Sequence, residues 1–285
     1  MNGPSPAFDT RPAPAAPAPV RAPFVRVGVG DGTVAITEGA RAGFLADLDA
    51  RLAGGTGFAV ATVNLDHLVK LRHDPSFRAA YARHTHVTAD GRPVVWLAGL
   101  AGRSVELVTG SDLIEPLLGL AARQGRAVAF VGATEATLAA AERALAGRVP
   151  GLRVACRIAP RHGFDPEGAE ADAVLDRVAE SGARVVLLAL GAVRQERLAA
   201  RGLDRLDGVG FVSIGAGLDF YAGTQVRAPR WMRRLAIEWL WRLSGDPRRL
   251  GRRYLDCAML LPRLAVAAVE RRSQTADPGR RAGHG

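Results

Sequence analysis

One pattern limits the fold of this 285-residue chain more than any other. A short apolar β run ends in a glycine or a small polar residue, and an amphipathic helix follows. FAVATVN (58–64) leads into LDHLVKLRHD, AVAFVG (127–132) into a helix from about Glu135 to Leu145, and RVVLLALG (184–191) into VRQERLAARG. A further run, GFVSIGAG (210–217), follows after another turn. Strands alternating with helices call for a mostly parallel sheet with helices on both faces. The expected class is therefore α/β with Rossmann-like strand–helix units. Sheets of this kind take ligands at the carboxyl ends of their strands, where the small-residue turns lie. GxGxxG and the P-loop are absent, so dinucleotide and ATP sites lack their fingerprints.

Ahead of this pattern, Phe24–Val29 and Val34–Thr37 flank GDG, which predicts a hairpin, and Ala40–Leu52 reads as a helix. Residues 1–23 are rich in proline and alanine and read as a disordered arm, not a secretory signal. The α/β domain is expected over 24–225, a basic helical appendage over 226–272 and a disordered tail over 273–285. No run of ~20 apolar residues is present to span a bilayer. Cys156 and Cys257 are isolated, without metal spacing, which fits a reduced cytosol.

Charge is concentrated at one end. Net charge is +10, and residues 226–285 hold 14 Arg against 5 acidic residues. The stretch 227–254 has nine arginines, three tryptophans and no lysine; Lys70 is the only lysine in the chain. A nearly neutral body argues against bulk nucleic-acid binding. One helix is expected over 230–243, broken around SGDP. A second runs from Arg248 to about Arg272, with Pro262 expected to kink or split it. Leu255, Met259, Leu260, Leu264 and Val266 would form its apolar face, edged by Arg252, Arg253, Arg263, Arg271 and Arg272. Such a segment can lie in a membrane interface or pack on the body. Of Trp231, Trp239 and Trp241, at least one is expected in the core.

Several residues could carry chemistry. Asp90, in THVTADGRPVVW, stands between two strand-like runs as a general base or as the first residue of a DG turn; on the sequence alone the turn reading is stronger. Thr62 and Asn64 end a strand and could bind ligand or cap the next helix. Gln195 and Glu196 open a helix after Gly191, where phosphate is attracted. Asp219, after SIGAG, is a ligand carboxylate or a turn residue. His84 and His86 form an HxH without a third ligand, and Asp47 and Asp49 form a DxD inside a helical pattern; neither is taken as a metal site.

ATVNLDHL, ADGRPVVW, VTGSDL, AFVG, RHGF, LGAVRQE, GAGLDFYAG, RAPRW, IEWLWRL and DPRRLGRRY, in this order over about residues 24–256, resemble the WecG/TagA/CpsF family of bacterial glycosyltransferases. The RAP…EW…R…P…R…RR series is its most specific part. The resemblance implies transfer of a sugar, such as N-acetylmannosamine, glucose or a uronic acid, from a UDP-sugar to a polyprenyl-diphosphate-linked sugar. The transfer inverts the anomeric centre, on the cytoplasmic membrane face, during synthesis of exopolysaccharide, capsule or related polymers.

The resemblance also implies roles. Asp90 would be the base, with Thr62 beside it. Asn64, Gly132, Phe164, Gln195, Glu196 and Asp219 would line the donor side. Arg242, Arg249 and Arg252, on an appendage that closes over the site, would grip diphosphate in place of a metal. No cofactor is expected, and a homo-oligomer is left open. Two departures stand out. Val193 in GAVRQE replaces the family's usual proline, and Leu107 in ELVTGSDL replaces its usual arginine. The alternative reading is a non-catalytic protein that binds a membrane surface or nucleic acid through the C-terminal Arg/Trp helices.

Overall fold

The computed structural model describes residues 25–29, 32–226, 228–229, 232 and 238–276. The Pro/Ala-rich arm, the turn of the expected hairpin, the start of the Arg/Trp helix with Trp231, and residues 277–285 lie outside the described residues. The hairpin's two arms pair as expected, β1 (Val25–Val29) running antiparallel to β2 (Gly32–Ile36).

Six parallel strands make the main sheet. They are β3 (Phe58–Val63), β4 (His86–Ala89), β5 (Val128–Gly132), β6 (Val154–Ile158), β7 (Val185–Ala189) and β8 (Gly210–Ser213), in the spatial order β4-β3-β8-β7-β5-β6. The chain leaves the centre in opposite directions after β3 and after β5, and β7 and β8 fill the gap. This is the arrangement that opens a crevice at the carboxyl edge of a parallel sheet.

Helices cover both faces, and the strands alternate between them. Phe58, Val60, Val128, Phe130, Val185, Leu187 and Val212 point to one face. There they meet α1 (Arg41–Ala53), α5 (Gly110–Arg123), α6 (Glu135–Ala146) and α9 (Gly217–Ala222). Ala61, Val63, Val87 and Ala89 point the other way, onto α2 (Leu65–His73), α3 (Pro75–Ala82) and α4 (Arg92–Leu100). Ala129, Val131, Val186, Leu188 and Phe211 share that second face with α7 (Ala169–Glu180) and α8 (Arg194–Arg205).

The segment RPVVW corrects the sequence reading. It is not a strand but the start of α4, so Asp90–Gly91 joins a parallel strand to a helix and makes no hairpin turn. Two β-branched residues favour a strand, but Pro93 sits in the first helical turn, where a missing N–H costs nothing. Val94, Leu97 and Ala98 then bury one helical face.

At the C-terminus, α10 (Glu238–Gly245) is separated at Asp246 from α11 (Pro247–Ala276). Pro262 does not split α11, which runs unbroken past Arg272. Pro262 is exposed, while Cys257 and Leu260 before it and Leu264 and Ala268 after it are buried on the body. Burial of a leucine is worth ~1.5–3 kcal/mol, which offsets one lost helical hydrogen bond. The expected single apolar face is in fact two. Leu260 and Leu264 join the core around α2 and α4. Leu255, Met259, Val266 and Val269 form an exposed stripe on the other side. Neither Trp239 nor Trp241 is in the core; Trp239 packs edge-on to Tyr254, and the Trp241 indole N–H donates to the Val226 carbonyl at 3.1 Å.

Gly132 is required where β5 crowds β7. Its φ is +121°, and a Cβ there would stand 2.4 Å from the Ala189 carbonyl carbon. Gly132→Ala should lower stability by roughly 2–5 kcal/mol in urea unfolding. Gly99→Ala, on the exposed side of α4 with nothing within 4 Å, should be neutral or stabilising by up to about 1 kcal/mol. Equal effects of the two would contradict the close approach.

Candidate active site at the carboxyl edge of the sheet

Parallel strands bring six of the predicted positions to one edge. Asn64 follows β3, Asp90 follows β4, Gly132 ends β5, Gln195 and Glu196 open α8 after β7, and Asp219 lies in α9 after β8. Thr62 pairs with Thr88 in the β3–β4 ladder, and Val63 with Ala89. The Asp90 N–H donates to the Val63 carbonyl at 2.8 Å, which fixes its backbone beside Asn64. Asn64 caps α2, its Oδ1 accepting the His67 N–H at 3.0 Å. The capping reading is therefore realised, at a position that also faces the edge.

Beneath Asp90 lies a buried polar group that the sequence did not announce. Tyr81 of α3 and His67 of α2 share a hydrogen bond of 2.6 Å between the phenol oxygen and Nδ1. The Tyr81 hydroxyl also lies 3.5 Å from the Thr62 carbonyl. Burial, then the charges of Glu196 and Asp90, raise the Tyr81 phenol well above its ordinary value. Burial pushes His67 down to about 3, so its imidazole is neutral. These residues come from the two helices that connect β3 to β4 and carry no motif of their own. The buried Ser213 hydroxyl at the end of β8 makes no hydrogen bond to any described residue.

Gln195 and Glu196 are both buried and bind each other. The Gln195 amide donates to Glu196 Oε1 at 2.7 Å and accepts the Gly215 N–H at 3.1 Å. Glu196 Oε2 accepts the Val193 N–H at 2.8 Å. The pair thus ties the turn after β7 to the turn after β8. Val193 itself has φ +82° and ψ −52°, a strained γ-turn geometry for a β-branched residue. Proline, fixed near −65°, cannot adopt that φ, so the departure at 193 accompanies a turn of different shape.

The remaining positions fall differently. Asp219 accepts from the Thr224 hydroxyl at 3.2 Å and from the Gln225 amide at 3.4 Å, and burial raises its carboxyl above the usual range. It organises the turn that follows α9. Phe164 lies beyond β6, the outermost strand, with its ring buried among Ile158, Val174 and their neighbours. Leu107 forms a bridge with Ala89, the residue before Asp90, and is partly exposed. The VTGSDL motif has a packing role: Gly110 lies where a Cβ would stand 2.8 Å from Ile214 Cα, just after β8.

The HxH and DxD residues have protein partners. His86 Nε2 lies 2.7 Å from Asp47 Oδ2, which also holds Arg51 at 2.7 Å. His84 Nδ1 binds the Ala80 carbonyl, and Asp49 Oδ1 accepts from Gln124 at 2.6 Å.

The C-terminal helix reaches this edge. Arg253 Nε lies 2.9 Å from Asp66 Oδ1, two residues past Asn64. Lys70 Nζ lies 2.8 Å from the other oxygen. Arg252 is exposed one position earlier. The side chains of Arg242 and Arg249 lie outside the described residues.

Burial lifts the Glu196 carboxyl from 4.5 to about 7. Between those values the folded chain keeps a proton that the unfolded chain has released. Its stabilisation is full below pH 4.5 and drains as pH rises toward 7. His67 and His84, depressed by burial from 6.5 to about 3 and about 4, act in the opposite sense, losing stability as pH falls. Comparing wild type with Glu196→Gln isolates the carboxyl. Between pH 5 and pH 7 the stability of wild type should fall relative to the variant in urea unfolding; parallel profiles would contradict the assignment.

A carboxylate at the edge, helix N-termini around it and a basic helix alongside give this edge the chemistry that attracts anionic groups. Over residues 32–275 the sequence matches the family described as Glycosyl transferase WecG/TagA/CpsF, and the chain belongs to that family.

Proposed function

We propose that this protein transfers a sugar from a UDP-sugar to a polyprenyl-diphosphate-linked sugar, with inversion, and that Asp90 is the base. Glycosyl transfer in cell-surface polysaccharide synthesis is the family's activity, and in general it takes a sugar donor and a lipid-linked acceptor. The observation that carries the finer reading is Asp90 itself. It follows a parallel strand, hydrogen-bonds to the end of the next one and precedes a helix, all at the carboxyl edge.

In the reaction the acceptor hydroxyl gives its proton to the Asp90 carboxylate as its oxygen bonds to the anomeric carbon. The bond from that carbon to the diphosphate oxygen breaks, and UDP leaves with the electron pair. Opposite-face attack gives inversion. Thr62 and Asn64 flank the base. Gln195 and Glu196 hold the turns that frame the donor, with Gly132 and Asp219 on the same side. Phe164 supports the donor side from the core.

Charge on the leaving diphosphate calls for fixed cations. Arg242, Arg249 and Arg252 are the proposed ligands, because a guanidinium matches phosphate oxygens in pairs and keeps its charge. The DxD aspartates are engaged with His86, Arg51 and Gln124, which favours arginine over a metal bound at that motif.

Residues 226–272 act as a membrane-facing appendage in this reading. Leu255, Met259, Val266 and Val269 line one exposed side of α11, with Trp239, Leu240 and Trp241 exposed on α10. Arginines flank the stripe, each worth ~1 kcal/mol near an anionic surface. No helix among the described residues is long and apolar enough to cross a membrane. The proposed setting is peripheral, on the cytoplasmic face where the lipid-linked acceptor resides.

Asp90→Asn tests the base. The variant should fold as wild type, bind UDP within about threefold, and lose ~10²–10⁴ in turnover with a polyprenyl-like acceptor. Undiminished turnover in a folded variant would remove Asp90 from the mechanism.

A further inference from the structure

Asp66 is a mostly buried carboxylate, 8% exposed, held between two cations from different parts of the chain. Lys70, one turn on in α2, is local. Arg253 comes from α11, almost two hundred residues away. Asp66 also sits in the first turn of α2, where a negative charge is favoured by the helix dipole. That turn carries Asn64 as its cap and His67 as the partner of Tyr81.

The same contact is felt from the side of α11. Cys257 lies one turn past Arg253 and is buried. Burial first, and then the Asp66 charge, push its thiol up to about 11. The Arg253–Asp66 pair and the buried faces of Leu260 and Leu264 therefore form one seat, polar at the catalytic edge and apolar farther along. Apolar packing alone tolerates sliding and rotation. A charge pair with one mostly buried partner does not, because displacement leaves the carboxylate with half its compensation.

We propose that Arg253 is a positioning residue. Through Asp66 it keys α11 to the first turn of α2, so that seating of the helix and competence of the edge at Asn64 and Asp90 are one event. Arg253 does not touch substrate in this scheme. Its effect on turnover is to hold the neighbouring helical arginines over the site, and that part rests on the function proposed above.

Two readouts separate the anchor from the activity. In a Cys156→Ser background Cys257 is the single thiol, and its labelling by an aromatic disulfide reports the seat without reference to catalysis. Asp66→Arg and Arg253→Asp should each speed labelling at least tenfold and lower kcat at least tenfold, with donor KM changed less than threefold. The double charge swap should bring both rates back to within about threefold of the parent, and Arg253→Lys should stay close to it. Labelling at the parental rate in Arg253→Asp, or a double swap no better than the singles, overturns the anchor. Faster labelling with unchanged kcat overturns the coupling. If Asp66→Arg fails to fold, Arg253→Asp and Arg253→Lys decide between these outcomes. A parent with no transfer activity counts against the proposed function, and labelling still decides the anchor.

Discussion

Burial of both faces of a one-way sheet leaves few places where polar groups can act. All six strands point the same way and helices cover both sides, so reactive side chains are confined to strand ends and the turns beyond them. The helices that follow the strands begin at the same edge, and their N-termini add a field that favours anions there. Asp90 gains its meaning from this constraint. The same dipeptide in a hairpin would be solvent-facing punctuation. After a parallel strand, bonded to the Val63 carbonyl, it stands at the one edge suited to chemistry.

The electrostatics beneath that edge follow from burial. Tyr81, His67 and Glu196 sit where charge is costly, and all three are held in neutral forms or close to them. Asp90 is less buried than these three. Gln195 and Glu196 use their hydrogen bonds on each other and on two turns, which makes them braces between the turns after β7 and β8. The Arg253–Asp66–Lys70 cluster extends the same logic to the C-terminus: a helix that carries fixed charge is itself fixed by charge.

Much of this was legible in the residues. FAVATV and VVLLA are nearly unbroken apolar runs, as strands buried on both faces must be, and they were readable as such. HVTA and VACRI were harder. The first is four residues broken by a histidine and a threonine, and the second is an edge strand with partly exposed residues and an arginine. RPVVW misled because valine pairs favour strands while a first-turn proline and the buried Val94, Leu97 and Ala98 decide for a helix. The resemblance pointed to Asp90 although local reading preferred a turn. The Tyr81–His67 and Asp66–Arg253 pairs were invisible, since tertiary packing alone brings the partners together, and the buried Ser213 hydroxyl has no motif to mark it. In α11 two stripes on opposite sides of one helix blur into a single amphipathic signal, so the pattern does not separate the buried Leu260 and Leu264 from the exposed Leu255, Met259 and Val266.

The central claim is that the carboxyl edge of the sheet holds the donor. Amide hydrogen exchange with and without saturating UDP tests it most directly. The account predicts slowed exchange in the turns after β3, β4, β5, β7 and β8, around residues 64–66, 90–92, 132–134, 191–196 and 214–219, with the opposite edge unchanged. Protection confined to the amino edge of the sheet, or no protection in these turns while UDP is bound, would contradict it.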